Sequence, residues 1–270
     1  MNIISKYASL ITLPVLLCMG SSCMQQQQQQ TLAEGIYPEP ETDFISRRLQ
    51  VRLQANEKAD VAFIFIGGFA EQVLCRFRTV YESTPILPVK GKQVRACYAW
   101  EGARGCLLFH STKLIREDIE AFLKTNPGAD LVFVGHSYGG SAVMDVMRHL
   151  NTDAYGRVIA VTLDAVSRRD RSFPKERAKG IDHWINVYCS PYRHPKDIAA
   201  IVGGQWQKCE QADVNLCFSG KERDAKDRRY QHARPDSLFT EKNKQADASA
   251  YDLMLEACKR YDIGNPSATR

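Results

Sequence analysis

Four apolar residues, Leu131 to Val134, run directly into Gly135-His136-Ser137-Tyr138-Gly139, and Gly140, Ser141 and Ala142 follow. An unbroken apolar run of this length, bounded by glycine, reads as a strand buried on both faces. The small residues after it open a helix expected to run from Gly139 to Leu150. A strand that turns into a helix within a few residues brings two backbones close together, so the positions two before and two after the turn residue must lack bulk. Glycine stands at both, and Ser137 is thereby placed on a tight turn at the end of a strand, above a helix N-terminus.

The same alternation of apolar runs and amphipathic stretches extends along the chain from Asp60. Strands are expected over Val61 to Ile66, ended by Gly67-Gly68, then over Val94 to Trp100, Val158 to Leu163 and Trp184 to Tyr188, with Val214 to Phe218 the weakest and last. Between them, Leu114, Ile115, Ile119, Phe122 and Leu123 recur at helical spacing within Ser111 to Thr125, and Asn126-Pro127-Gly128 stops that helix. Strands alternating with helices predict an α/β domain over 60–270: a doubly wound, mostly parallel sheet with helices on both faces. In such a sheet, active-site residues sit on loops leaving the carboxyl ends of strands. The 36 basic residues exceed the 31 acidic ones by only five and are spread along the chain, which gives no footprint for nucleic acid. Even the densest basic stretch, Lys221 to Arg234, interleaves Glu222, Asp224 and Asp227, as a solvated face does.

The N-terminal 22 residues read as an export signal: Lys6, an apolar core from Tyr7 to Met19 too short to span stably, then Gly20, Ser21 and Ser22. Cys23 follows at once, and the junction resembles a bacterial lipobox, although Gly20 stands where lipoboxes usually carry leucine. The resemblance implies acylation of Cys23, a membrane partner reached through that anchor, and a periplasm-facing lipoprotein of the cell envelope. Residues 23–59, with the glutamine run Gln25 to Gln30 and the Pro38-Glu39-Pro40 turn, are the expected tether. Setting aside Cys18 in the signal and Cys23 at the anchor leaves seven of the nine cysteines, among which Cys97 with Cys106 and Cys209 with Cys217 are the pairs with short loops in an oxidising compartment. No pair has C-x-x-C spacing, so no structural metal is expected.

A serine hydroxyl is a poor nucleophile until a base takes its proton, and the base needs an acid to fix its tautomer. The Gly135 to Gly139 motif in its strand-to-helix setting, with the glycine loop Gly67-Gly68-Phe69-Ala70 after the first strand, resembles the α/β-hydrolase superfamily over about Asp60 to Phe239. The resemblance implies Ser137 as nucleophile and a chain order of serine, acid, histidine. It points to Asp164, which ends the next strand as in the lipase branch, with Asp197 the alternative. His232, after the last strand, is the expected base, with His194 the alternative; His149 falls inside a helix and His183 at the wrong end of a strand. Oxyanion donors are expected at the Tyr138 amide and at Phe69, with Gly68 as alternate. The implied activity is hydrolysis of a small-molecule or lipid carboxylic ester through an acyl-enzyme, with no cofactor. The insert from Ser167 to Asp182, with Arg168, Arg169 and Arg171, is charged and not a long apolar lid, which favours a small or polar ester. Competing expectations are a peptidase, a non-catalytic envelope lipoprotein on a hydrolase scaffold, and a secretion-associated lipase or effector.

Overall fold

Six strands form one sheet, β1 (Val61–Gly67), β2 (Gln93–Ala99), β3 (Asp130–His136), β4 (Val158–Leu163), β5 (His183–Ser190) and β6 (Val214–Ser219). They are hydrogen-bonded in the order β2-β1-β3-β4-β5-β6, and all five pairings are parallel. Among the described residues, five helices accompany them: α1 (Arg76–Ser83), α2 (Thr112–Thr125), α3 (Tyr138–His149), α4 (Pro235–Thr240) and α5 (Ala250–Arg260). These elements come from a computed structural model that describes residues 52–68, 76–99, 112–167, 176–190 and 203–265. The signal and tether, Cys23, Phe69, Cys106, Arg168, Arg169, Arg171, His194 and Asp197, all named from the sequence, lie outside the described residues.

Burial follows strand position. The inner strands β1, β3 and β4 are buried at every residue, which is why they read as unbroken apolar runs. The edge strands β2 and β6 alternate between buried and half-buried positions, so their apolar signal is diluted. Successive strand residues face opposite sides and enter two cores. Ala62, Ile64, Ile66, Leu131 and Phe133 pack with Ile115, Ile119 and Phe122 of α2 and Val143 and Met147 of α3. Phe63, Phe65, Val132, Val134 and Val161 pack on the other side with Phe77 of α1, Phe239 of α4 and Met254 of α5. The sheet is therefore covered on both faces, as a doubly wound α/β architecture requires.

The strand order reverses at β1, whose neighbours are β2 on one side and β3 on the other. In an open parallel sheet, such a switch point leaves a crevice at the carboxyl ends of the strands. Gly68, after β1, and Ser137, after β3, meet there.

The packed chain starts ahead of Asp60, where the sequence pattern places the domain boundary. Leu53 is buried, its amide donates to the Tyr98 hydroxyl at 3.0 Å, and Arg52 pairs with Asp118 through both its Nε and Nη2. Helices α1 and α5 also add to the sequence expectation; α5 opens with a capping box in which Ser249 and Asp252 satisfy each other's backbone amides. The expected Cys209–Cys217 disulfide is not formed, and both residues are thiols. Cys209 is instead held through its backbone, because Asn215 accepts from its amide at 2.9 Å and donates to its carbonyl at 3.0 Å.

At the amino end of β5, His183 is buried against Tyr261 with Asp213 3.5 Å away. Burial lowers its pKa below the ordinary histidine value, outweighing the opposing pull of Asp213. The folded state thus favours the neutral ring. Its contribution is fully present above about pH 6.5 and is lost as pH falls from there towards the lowered folded-state value. Urea midpoints measured between pH 7 and pH 5 are expected to fall more steeply in the native protein than in His183→Gln.

Candidate active site

Ser137 has φ 58° and ψ −129°, a conformation that L-residues avoid unless the surroundings impose it. Here the surroundings do so from both sides. The Ser137 amide donates to Leu163 at the end of β4, at 3.0 Å. Its carbonyl accepts from the Gly140 amide within the first turn of α3 and from the Val166 amide, each at 3.0 Å. The flanking glycines are a steric requirement: a Cβ on Gly135 would lie 2.6 Å from the Gly139 carbonyl oxygen, and one on Gly139 would overlap the Ile66 carbonyl.

Three side chains from separate parts of the chain meet at this turn. His232 Nε2 lies 2.8 Å from Ser137 Oγ, and His232 Nδ1 lies 2.7 Å from Asp164 Oδ2. A carboxylate only accepts, so Nδ1 carries the proton and Nε2 is left to accept from the serine hydroxyl. All three residues are buried, Asp164 completely. Ser137, Asp164 and His232, named from the sequence, are thus brought together. Tyr138 opens α3, so its amide stands at the helix N-terminus beside the serine. Gly68 packs directly on the serine, since a Cβ there would lie 2.6 Å from Ser137 Cβ and 2.9 Å from Oγ.

Asp164 is itself on a strained turn, with φ 44°, a conformation aspartate tolerates better than most residues. Its amide donates to the Val187 carbonyl at 2.7 Å, which ties the turn to β5. The carboxylate oxygen turned away from His232 accepts from the Cys189 amide at 2.9 Å and from the side-chain amide of Gln205.

His232 is held from behind by a residue the sequence pattern did not single out. His136 Nε2 donates to the His232 carbonyl at 2.8 Å, and its ring stacks between Phe77 and His232 with centroids 5.8 and 4.9 Å away. The loop from Gly220 to Arg234 that delivers His232 is organised by the buried carboxylate of Asp224. That group accepts from the Ser237 hydroxyl, the amides of Lys226 and Arg228, and the Arg228 guanidinium, which also reaches Asp236. Elsewhere, His183 begins β5 and His149 ends α3, each away from this cluster.

The arrangement has the parts for nucleophilic chemistry: a reactive electron pair can be generated on Ser137 Oγ by transfer of its proton to His232, and the resulting imidazolium faces a carboxylate. Among the described residues, no group of His, Cys, Asp or Glu side chains is arranged to hold a metal ion, and no helix is long and apolar enough to cross a membrane. No family model and no curated protein matches this sequence.

Burial alone would raise the pKa of Asp224, but the Ser237 hydroxyl and the Arg228 guanidinium and amide hold it far below the usual carboxylate range. Its stabilising contribution is therefore present above about pH 4 and is lost only as pH falls well into the acid range. Asp224→Ala removes charged hydrogen-bond partners worth about 2 kcal/mol, and a lowered thermal midpoint at pH 7 is the expected result.

Proposed function

We propose that this protein is a serine hydrolase of the α/β-hydrolase type that cleaves carboxylic esters through an acyl-enzyme. The observation that carries the proposal is the unbroken hydrogen-bonded line from Ser137 Oγ through His232 to Asp164, at 2.8 and 2.7 Å, on a serine with φ 58°. The strand order supports it as well. The nucleophile follows β3, the acid follows β4 and the base follows β6, the chain order that the superfamily uses.

The reaction runs in two steps. Ser137 Oγ attacks the ester carbonyl while His232 Nε2 takes its proton, and Asp164 keeps the ring oriented and balances the imidazolium. The tetrahedral oxyanion is met by the Tyr138 amide at the start of α3, with a second donor from the chain after β1. His232 then returns the proton to the departing alcohol, leaving Ser137 acylated. Water, deprotonated by the same ring, releases the acid. No metal or cofactor enters these steps. Gly68 keeps the space beside Ser137 Oγ open, a role that follows from its contact distances. The lipobox-like Cys23 would keep this chemistry at an envelope membrane, and the charged segment after β4 favours a small or polar ester.

A fluorescent fluorophosphonate reacts with an activated serine and needs little substrate fit. Labelling confined to a Ser137 peptide is expected, with loss in Ser137→Ala and His232→Ala; a folded protein that takes no label would sink the proposal. On any ester that is turned over, Asp164→Asn is expected to lower kcat by about 10³- to 10⁴-fold, since the ring then adopts the wrong tautomer. Gly68→Ala should label slowly, because its methyl group would press on the nucleophile, and the same overlap should lower its thermal midpoint.

A further inference from the structure

The Asp164 carboxylate has two oxygens, and only one faces the base. A buried carboxylate free to rotate would present either oxygen, and the ring it supports would lose its fixed orientation. The second oxygen, Oδ1, is engaged by the Cys189 amide at 2.9 Å and by Gln205 Nε2. Gln205 Nε2 also donates to the Cys189 carbonyl at 3.0 Å. Both partners of that nitrogen are oxygens that can only accept, so the amide orientation is fixed by chemistry, and each of its two hydrogens has an acceptor.

Gln205 and His232 both bond this carboxylate through their side chains, and the structure secures Gln205 in place. Its backbone forms a bridge with Val166, two residues beyond Asp164. On either side, the Ser167 amide donates to Gly204 at 3.0 Å and the Trp206 amide to Ala165 at 2.7 Å. Beneath it, three polar residues in register across β4, β5 and β6 form a ladder: Thr162 donates to Asn186 at 3.0 Å, and Asn186 donates to Asn215 at 2.9 Å and to the Gln207 carbonyl at 2.8 Å. Trp184 Nε1 closes the ladder on Thr162 at 3.0 Å. Polar side chains buried in a sheet are costly unless all are paired, and here the pairs end on the backbone of the segment that carries Gln205.

We propose that Gln205 is a positioning residue for the Asp164–His232 pair: its side-chain amide pins Oδ1, so that Oδ2 is presented to His232 Nδ1. The inference rests on the hydrolase mechanism proposed above and adds a residue to it. Gln205 touches no reacting atom, and its effect passes through the acid.

Two readouts test this, each on the full chain and with thermal midpoints recorded for every variant. One is the rate of fluorophosphonate labelling in a double-mutant cycle. Gln205→Met is expected to slow labelling by about 10- to 100-fold, the loss of one charge-assisted hydrogen bond at the acid. In an Asp164→Ala background, the same substitution should change the rate by less than about threefold, because the partner is already gone. Equal losses in both backgrounds would mean that Gln205 acts only by holding its segment, and the proposal would fail. The other readout is the downfield proton resonance of the His232 Nδ1–H, identified by its absence in Asp164→Ala. Gln205→Met should broaden it or move it upfield, and an unchanged resonance overturns the proposal. If Gln205→Met does not fold, Gln205→Glu keeps the shape of the side chain but replaces the donor with a second carboxylate, and both effects are expected there too. Should the wild-type protein take no label, the hydrolase mechanism fails, and the proton resonance alone decides the role of Gln205.

Discussion

At Gly139 the backbone of α3 lies so close to the end of β1 that a side-chain carbon would overlap the Ile66 carbonyl, and at Gly135 it would press on Gly139 itself. This double contact fixes the angle at which the helix leaves the sheet, and with it the strained turn at Ser137. A residue at φ 58° relaxes unless its surroundings forbid it. The hydrogen bonds that forbid it run to Leu163 and Val166, on either side of Asp164. The turn that strains Ser137 and the turn that carries Asp164 are therefore one hydrogen-bonded unit, built across the neighbouring strands β3 and β4.

A completely buried carboxylate is tolerable only when its charge is met on every side. Asp164 meets that condition with His232 on one oxygen and Cys189 and Gln205 on the other. The Cys189 backbone bonds both Asp164 and Gln205, and its thiol donates to the Tyr230 carbonyl at 3.4 Å, two residues before the base. Thus β5 links Asp164 to the loop that brings His232, and the polar ladder across β4, β5 and β6 links β5 to the Gln205 segment. The network is costly to leave partly satisfied, which favours its forming as a whole.

How much of this could be read from the sequence depended on where the determining contact lies. The Ser137 turn was legible because its constraint is local: bulk is excluded at fixed offsets, and glycine records that directly. The inner strands were legible because burial on both faces leaves an unbroken apolar run, whereas β6, at the edge, gave only a weak signal. Asp164 and His232 could be placed by their order after strands, and the structure puts both within hydrogen-bonding distance of their partners, while the alternatives Asp197 and His194 lie outside the described residues. Gln205 left no trace, because it follows no strand and its function depends on a carboxylate 41 residues away. The Cys209–Cys217 spacing suggested a disulfide, but loop length says nothing about the Asn215 amide that holds the Cys209 backbone. Leu53 and Arg52, ahead of the expected boundary, lack a periodic neighbourhood and are recognisable only by what they touch.

His136 shows how a residue inside a legible motif can still hide its role. Between the first glycine and the serine, the motif accepts any residue, so its identity carries no steric message. Yet its position at the end of β3 is rigidly defined, and the side chain that leaves it reaches the carbonyl of His232 at 2.8 Å. Because that carbonyl can only accept, His136 keeps a proton on Nε2, and its ring stacks between Phe77 and the base. The same strand end thus presents Ser137 and, through His136, supports His232. A shift of this turn relative to β1 would displace Ser137 and His136 together, so the 2.8 Å between Ser137 Oγ and His232 Nε2 depends on this turn as well as on the loop that carries His232.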